Sequence, residues 1–573
     1  MGLLNKDKKR PPLRATGRGA AATQTSNLRP QQVEKLAPCL GACPSGNDVR
    51  GWLTILAQRE KNGLTLEAAC DKAWALEMET NPFPAIMGRV CPHPCEKACN
   101  RLGKDGSVAI NSVERLLGDW GIERRLAAPR LDVGGPFAER IAVVGAGPAG
   151  LSCAYQLARR GYPVTVFESL PGSGGMLRYG IPEYRLPRRV IDREVERITD
   201  LGVEIRYGVT VGKDVKIEDL KRDFAAIFVA IGAHLGKKLG CPGEDGPGVY
   251  TGTDFLRRAN TGQKPPVGGK IVVVGGGDTA IDAARMSLRV GRDVAGVAAE
   301  EGGQVRILYR RTRQEMPAIE REIEEALEEG IEIEFLAAPA AIVRDGSGRV
   351  AGMKVQRMRL GEPDSSGRRR PVPIEGAIDE IEVDTVITAV SQSPDTDSLG
   401  AFVEKGWMDA DAWGKTSVER IWSGGDDVNL GIATTAIGNG RQAALSIHAA
   451  LRGTPLQERN HRAPIGPERI KVDYYETREP ARREVVGAAD RLASPSVEID
   501  HGITQQAFLD EVGRCFSCGL CFGCERCWMY CTPGCFKKEK EAGPGRYYTI
   551  DIAKCDGCNK CMDECPCGFL DML

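Results

Sequence analysis

Two segments of this chain share one local pattern: a short run of apolar β-formers, a glycine cluster, then a helix-prone stretch. The first, IAVVGAGPAG, carries Gly145-x-Gly147-x-x-Gly150 with Pro148 and Ala149 between the second and third glycines. The second, KIVVVGGGDTA, carries Gly275-x-Gly277-x-x-Ala280 with Asp278 and Thr279 in the corresponding places. A strand that runs through a glycine turn into a helix N-terminus can grip a pyrophosphate with backbone N–H groups. The first glycine permits the turn and the second lets the phosphate approach. The third position, kept small, holds the helix near its strand. One such pattern is weak evidence, but two of them about a domain apart predict two doubly wound α/β domains and two nucleotide cofactors.

The ends of the second strands separate the two sites. After the first glycine cluster that strand ends in Glu168, whose carboxylate can accept from the 2′-hydroxyl of an adenosine ribose, as FAD or NAD requires. After the second it ends in Tyr309-Arg310-Arg311 with no acid in the ribose position. Arginine can hold a 2′-phosphate bidentately, and each charged hydrogen bond contributes about 1.5–3 kcal/mol. The expectation therefore leans to NADP(H) over NAD(H). The competing reading has both arginines facing solvent or paired with the acidic stretch Glu320 to Glu329.

Cysteine is the unusual component. The chain has 20 cysteines, concentrated at Cys-x-x-Cys and similar spacings towards its two ends. A secreted disulfide scaffold is small, whereas this chain is large and lacks the apolar core of a signal peptide, so iron–sulfur clusters are expected. Cys521-x-x-Cys524-x-x-Cys527-x-x-x-Cys531 recurs as Cys555-x-x-Cys558-x-x-Cys561-x-x-x-Cys565-Pro566. This is the spacing of a two-cluster bacterial ferredoxin, in which the fourth cysteine of each run serves the other cluster. One [4Fe–4S] is accordingly assigned to Cys521, Cys524, Cys527 and Cys565, and the other to Cys555, Cys558, Cys561 and Cys531. Thr532 departs from the pattern, and Cys515, Cys518, Cys535 and Cys567 are left over as packing thiols or alternative ligands. Near the other end, Cys39, Cys43, Cys91, Cys95 and Cys99 suit an iron–sulfur site better than zinc, which favours paired Cys-x-x-Cys hairpins.

PCLGACPSGND, NPFPAIMGRVCPHPCEKAC and AINSVERLLGDW resemble the N-terminal iron–sulfur domain of the glutamate synthase small-subunit family, which includes a similar domain of dihydropyrimidine dehydrogenase. The resemblance implies one cluster held by Cys43, Cys91 and Cys95 with Glu114 in the fourth place. Cys39 and Cys99 match ligands of a second cluster, but the preceding Cys-x-x-Cys of the family is missing here. One N-terminal cluster is therefore expected rather than two, with Cys39 or Cys99 as alternatives to Glu114. GSGGMLRYGIPEYRLP resembles the family's flavin-side loop and brings Gly175, Leu177 and Arg185 to FAD; VAIGA adds Gly232. In IWSGGDDVNLGIATTAIGNG the resemblance places Asp426 at the ribityl–phosphate region and Thr434 and Thr435 beside the flavin.

Because that motif follows the second glycine cluster, the nicotinamide domain is expected to interrupt the FAD domain. The expected layout is a basic tail (1–28), a helical Fe–S domain (29–134), the FAD domain in two parts (135–262 and 383–453) around an NAD(P) domain (263–382), a linker (454–510) and a ferredoxin-like α+β domain (511–573). A formal net charge of −1 gives no support for nucleic-acid binding. No run of about 18 apolar residues is present, so no spanning helix is expected and a cytoplasmic protein is. The absence of Cys-x-x-Cys from the nicotinamide domain argues against a disulfide relay. The expected activity is electron transfer between NAD(P)H, FAD, two C-terminal and one or two N-terminal [4Fe–4S] clusters, and a redox partner protein. Within the family the chain is most similar to the DsrL type, which implies dissimilatory sulfite reductase as partner. A 2-oxoacid:ferredoxin oxidoreductase or a glutamate synthase-type complex is the alternative, and a homodimer is compatible with either.

Overall fold

The computed structural model describes residues 26–573 apart from 296–303, 366, 398, 400–402, 405 and 457–462, so Met1 to Thr25 of the expected basic tail lie outside the described residues. The chain divides into two compact units, a central one (130–454 with 484–501) and a terminal one built from residues to 129, 455–483 and 502–573.

The central unit contains two five-stranded parallel sheets. One has the order Ile421–Ser423, Ala226–Val229, Ile141–Val144, Val164–Glu168, Glu204–Tyr207. The other runs Glu332–Phe335, Gln304–Tyr309, Lys270–Val274, Thr385–Thr388, Val249–Thr251. Each glycine cluster thus leaves a central strand, where both sheet faces are covered and the sequence is accordingly continuous in Val and Ile. Strand Ile421–Ser423 closes the first sheet only after the second sheet is complete, which is the interrupted topology expected from the order of motifs. A three-stranded antiparallel sheet, Ala337–Arg344, Val350–Pro363 and Arg369–Glu382, was not legible as such in the sequence. Helix Ala433–Arg452 crosses helix Pro148–Ala158 closely at Gly440, where a Cβ would come within 2.1 Å of the Ala149 carbonyl oxygen. Ser152 Oγ donates to the Ile437 carbonyl at 2.8 Å, so the two halves of the flavin motif pack together.

In the terminal unit, helices Val49–Ala57, Leu66–Glu77 and Ile110–Glu123 share one apolar core with the much later helix Gln505–Val512. Phe508 and Val512, one turn apart, bury there with Trp52, Leu53 and Val113. The hairpin Phe536–Gly543/Arg546–Ile550 belongs to the same unit, and strand Pro30–Gln32 pairs antiparallel with Leu570–Met572. The segments read as separate N-terminal and ferredoxin-like domains therefore form one body. The expected linker is shared out: 455–483 joins this unit and 484–501 the central one. What joins the two segments is shared packing: Phe508 and Val512 complete the core of the N-terminal helices, and Pro30–Gln32 pairs with Leu570–Met572.

Candidate cofactor sites

At the first glycine cluster, Gly145 has φ +102° and a Cβ there would meet the Ala230 carbonyl at 2.3 Å, while one at Gly150 would meet the Gly145 carbonyl at 1.9 Å. A Cβ at Gly147, by contrast, finds nothing nearer than Gly175 Cα at 4.0 Å. That open cradle at the start of helix Pro148–Ala158 is the space a pyrophosphate needs. Glu168 is buried; its Oε2 accepts from Ala146 N at 2.6 Å and its Oε1 from Leu170 N at 2.8 Å, so the carboxylate also braces the glycine turn. Its burial raises its pKa. Gly175 (φ +52°) and buried Leu177 follow, with Gly232 (φ +67°) on the adjoining loop. Asp426 Oδ1 accepts from Gly431 N at 3.0 Å just ahead of Thr434 and Thr435, which open the helix Ala433–Arg452. Its neighbour Asp427 is fully buried, and its Oδ2 accepts from Ile231 N at 3.1 Å.

Arg185, expected beside the flavin, is engaged in a buried ion-pair network. It is buried, bonds both carboxylate oxygens of Asp282 at 2.7 and 2.8 Å, and pairs with Glu322 at 3.1 Å. A desolvated guanidinium requires such carboxylates. The same network holds Arg285 and Arg289 against Glu322, Glu325 and Glu329, with the Tyr184 ring facing both guanidinium groups at 5.0 and 4.0 Å. The acidic stretch Glu320 to Glu329 is thus engaged by Arg285 and Arg289.

The second glycine cluster borders a cavity of about 580 Å³ whose wall includes Gly277, Thr279, Arg310, Arg311, Arg368 and Leu430. Gly275 has φ +150° and packs under the Ala389 carbonyl, whereas a Cβ at Gly277 meets nothing within 4 Å. Ala280 is fully buried, and Asp278 Oδ1 accepts from Ile319 N at 2.9 Å. Arg310 is exposed at the rim. Arg311 also lines the cavity, with its Nη2 donating to Asp364 Oδ2 at 2.7 Å and its Nε to the Arg369 carbonyl at 2.8 Å. Arg368, beside the tip of the antiparallel hairpin, was missed because sequence gives no sign that the hairpin reaches the cavity.

Among the described residues no three His, Cys, Asp or Glu side chains converge as they would on a single metal ion. The thiols instead line two small apolar voids. Cys521, Cys524, Cys527 and Cys565 line one apolar void together with Cys567; Cys531, Cys555, Cys558 and Cys561 line another together with Cys535. Backbone donors reach the sulfurs: Phe569 N to Cys565 Sγ at 3.3 Å, Cys535 N to Cys531 Sγ at 3.2 Å and Gly557 N to Cys555 Sγ at 3.4 Å. Burial pushes the thiols of Cys521 and Cys561 up to about 12, so bare thiolates are disfavoured there and iron would supply the compensating charge.

In the N-terminal part, helix Pro84–Val90 ends at Cys91 and packs on helix Ile110–Glu123 through Gly88 and Gly118. Burial raises the Cys95 thiol, and Glu114, Cys91 and Cys43 lie near enough to raise it further. Glu114 accepts from Asn81 Nδ2 at 3.1 Å, and burial pushes its carboxyl up to about 7. Cys39 and Cys99 fall into a different group, described below.

Comparison with known proteins agrees with this geometry. The pyridine nucleotide-disulphide oxidoreductase family matches residues 139–440, and the family described as dihydropyrimidine dehydrogenase domain II, 4Fe-4S cluster, matches residues 23–126. The chain is 36% identical over 524 residues to the NADPH-Fe(3+) oxidoreductase subunit beta of Geobacter sulfurreducens, covering 84% of this chain and 75% of that protein. It is 36% identical over 540 residues to the NADP(+)-dependent formate dehydrogenase subunit beta of Moorella thermoacetica, covering 88% and 73%. To the glutamate synthase [NADPH] small chain of Escherichia coli it is 36% identical over 434 residues, covering 71% and 87%. Its cofactors are FAD, NAD(P)H and [4Fe–4S]. The chain belongs to the pyridine nucleotide-disulphide oxidoreductase family, among the iron–sulfur flavoproteins related to the glutamate synthase small chain.

Proposed function

We propose that this NADPH-dependent iron–sulfur flavoprotein is the electron-transfer subunit of a complex whose partner is dissimilatory sulfite reductase. The carrying observation is the cavity whose wall runs from Gly277 to Leu430, so that the nicotinamide and flavin motifs border one space. FAD, when bound, would take one hydride, two electrons, from NADPH and release them one at a time, which links a two-electron donor to one-electron clusters. The chain's own residues position these groups. Gly147 and Gly277 leave the pyrophosphates room at two helix N-termini, and Glu168 fixes the first glycine turn. Arg310, with Arg368 across the cavity wall, supplies positive charge for the 2′-phosphate in place of Arg311. Cys43, Cys91, Cys95 and Glu114 hold one [4Fe–4S]. The two cysteine-ringed voids hold two more, one on Cys521, Cys524, Cys527 and Cys565, the other on Cys531, Cys555, Cys558 and Cys561.

The segment EVGRCFSCGLCFGCERCWMYC supports the sulfite-reductase partner by its resemblance to the DsrL type. A glutamate synthase-type complex is favoured by the similarity to the Escherichia coli small chain, but that match covers 71% of this chain. Anaerobic protein should reduce viologen dyes with NADPH, and added sulfite reductase should make NADPH oxidation depend on sulfite. Dye reduction without any response to sulfite reductase would discard that partner. Failure with NADPH and NADH alike would discard dye reduction by the isolated chain.

A further inference from the structure

Cys39, Cys99, Cys515 and Cys518 come together within the terminal unit although three separate segments supply them. Cys39 lies in helix Pro38–Ala42, and Cys99 follows helix Pro94–Lys97. Their neighbours are bonded directly to the downstream pair. Asn100 Nδ2 reaches Cys518 Sγ at 3.5 Å, and Arg101 donates to the carbonyl of Arg514. Arg50 Nη1 donates to both Lys35 O, at 2.7 Å, and Cys518 O, at 3.1 Å; Lys35 N donates to Gly519 O at 3.1 Å. Arg514, fully buried, returns bonds to the carbonyls of Gly106 and Ser107 at 2.8 and 2.7 Å. Cys39, Cys99 and Cys515 pack against the same apolar core as Trp52 and Phe508, and Cys518 is tied to it through Asn100 and Arg50.

The backbone carries a second, independent sign. In Cys521-Phe522-Gly523-Cys524-Glu525 the residues on either side of the second cysteine have φ +68° and +68°. In Cys555-Asp556-Gly557-Cys558-Asn559 they have φ +75° and +65°. Cys515-Phe516-Ser517-Cys518-Gly519 repeats this with φ +49° and +71°. Ser517 N reaches Cys515 Sγ at 3.4 Å, as Gly557 N reaches Cys555 Sγ at 3.4 Å. A buried serine at positive φ costs on the order of 1 kcal/mol or more and persists only where its surroundings dictate it. The loop that breaks the rule for serine has the shape of the two loops bordering the cysteine-ringed voids.

We propose that Cys39, Cys99, Cys515 and Cys518 hold a fourth [4Fe–4S] cluster, the downstream segment supplying the Cys-x-x-Cys pair that the N-terminal part lacks. The inference rests on the reading of the chain as an iron–sulfur protein given above. Loading a preformed core forms four iron–thiolate bonds and sends four thiol protons to solvent, with no electron transferred. Buried Arg50 and Arg101 offset the negative charge, and the N–H donors of Asn100 and Ser517 reach two of the four sulfurs. Cys518 and Cys521 are three residues apart, so their Cα atoms are within about 11 Å of each other. The new centre would therefore adjoin the cluster assigned to Cys521, making a relay from the N-terminal part to the ferredoxin-like part.

The test is iron and acid-labile sulfide content of the anaerobically purified full chain, with native mass spectrometry as a cluster count that needs no variant. Wild type should hold about sixteen irons and sixteen sulfides per chain, and Cys515→Ala/Cys518→Ala should hold about twelve of each with FAD content unchanged. Adding Cys39→Ala to that pair should remove no further iron. Three clusters in the wild type, or unchanged iron in the double variant, would overturn the proposal while leaving the other cluster assignments standing. A wild-type chain free of iron and sulfide would overturn both. A variant too unstable to purify leaves the decision to the wild-type count.

Discussion

Arg310 and Arg311 are adjacent yet differently held. Arg311 holds the turn at Asp364, so Arg311→Ala should loosen the hairpin and affect NADPH and NADH alike. Arg310 stands open at the cavity rim, and Arg310→Ala should raise the KM for NADPH by about ten- to a hundredfold, with little change for NADH. Steady-state kinetics with both nucleotides distinguishes the two. Asp105 is a second informative residue. Its side chain is buried between Arg101 and Arg514, and although burial opposes ionisation, the hydrogen bonds from Arg101 and Arg478 N hold its carboxyl down at about 2. A depressed carboxylate pKa means the folded state favours the ionised form. Its stabilisation is therefore complete above about pH 4 and fades as pH falls towards 2. Asp105→Asn should cost about 3–5 kcal/mol at pH 7, read as a lowered unfolding midpoint, and the gap to wild type should close in acid. Residue identity alone did not disclose these roles: that Arg185, read as a flavin contact, anchors a buried ion-pair network follows only from tertiary contacts.

At the scale of elements, the contact between helices Pro84–Val90 and Ile110–Glu123 sets where Glu114 stands relative to Cys91. Gly118 makes that contact possible: a Cβ there would lie 2.1 Å from Ala85 N. Gly118→Ala should push the helices apart, destabilise the unit by about 1–3 kcal/mol and lower iron occupancy on the Cys43, Cys91 and Cys95 side. Iron analysis beside FAD content would show it, since FAD belongs to the central unit. Periodicity and glycine placement made the central strands and both nucleotide-binding helices legible, because strand, turn and helix follow one another within about ten residues. The antiparallel hairpin Val350–Pro363/Arg369–Glu382 was not, since its mixed polar pattern declares neither its register nor its reach to the cavity. The grouping of Cys515 with Cys39 was likewise invisible, as spacing reports only ligands close in the chain.

For the whole molecule, the strand pair Pro30–Gln32/Leu570–Met572 joins the two cysteine-rich ends into one body. Removing Leu570 to Leu573 would take away a buried leucine and the partner of the first strand. The deletion should cost about 2–5 kcal/mol and empty clusters in both cysteine-rich regions, while FAD stays bound. The ratio of iron to flavin measures this directly, and parallel loss of both would contradict the division into two units. Motif order foretold the dinucleotide-binding fold and the N-terminal iron–sulfur domain, but not that the first and last regions fold together.

That closure also sets a timetable. Ser26 and Gly557, bonded through Ser26 Oγ, are 531 positions apart. At ribosomal speeds of about 5–20 residues per second, the first strand leaves the ribosome roughly half a minute or more before its partner exists. Throughout that wait the early cysteines sit on an unfinished, partly open nascent polypeptide. Closure of this body is therefore a late event in biogenesis, and any oxidant met during translation would strike thiols that the completed protein buries, Cys91 and Cys95 among them.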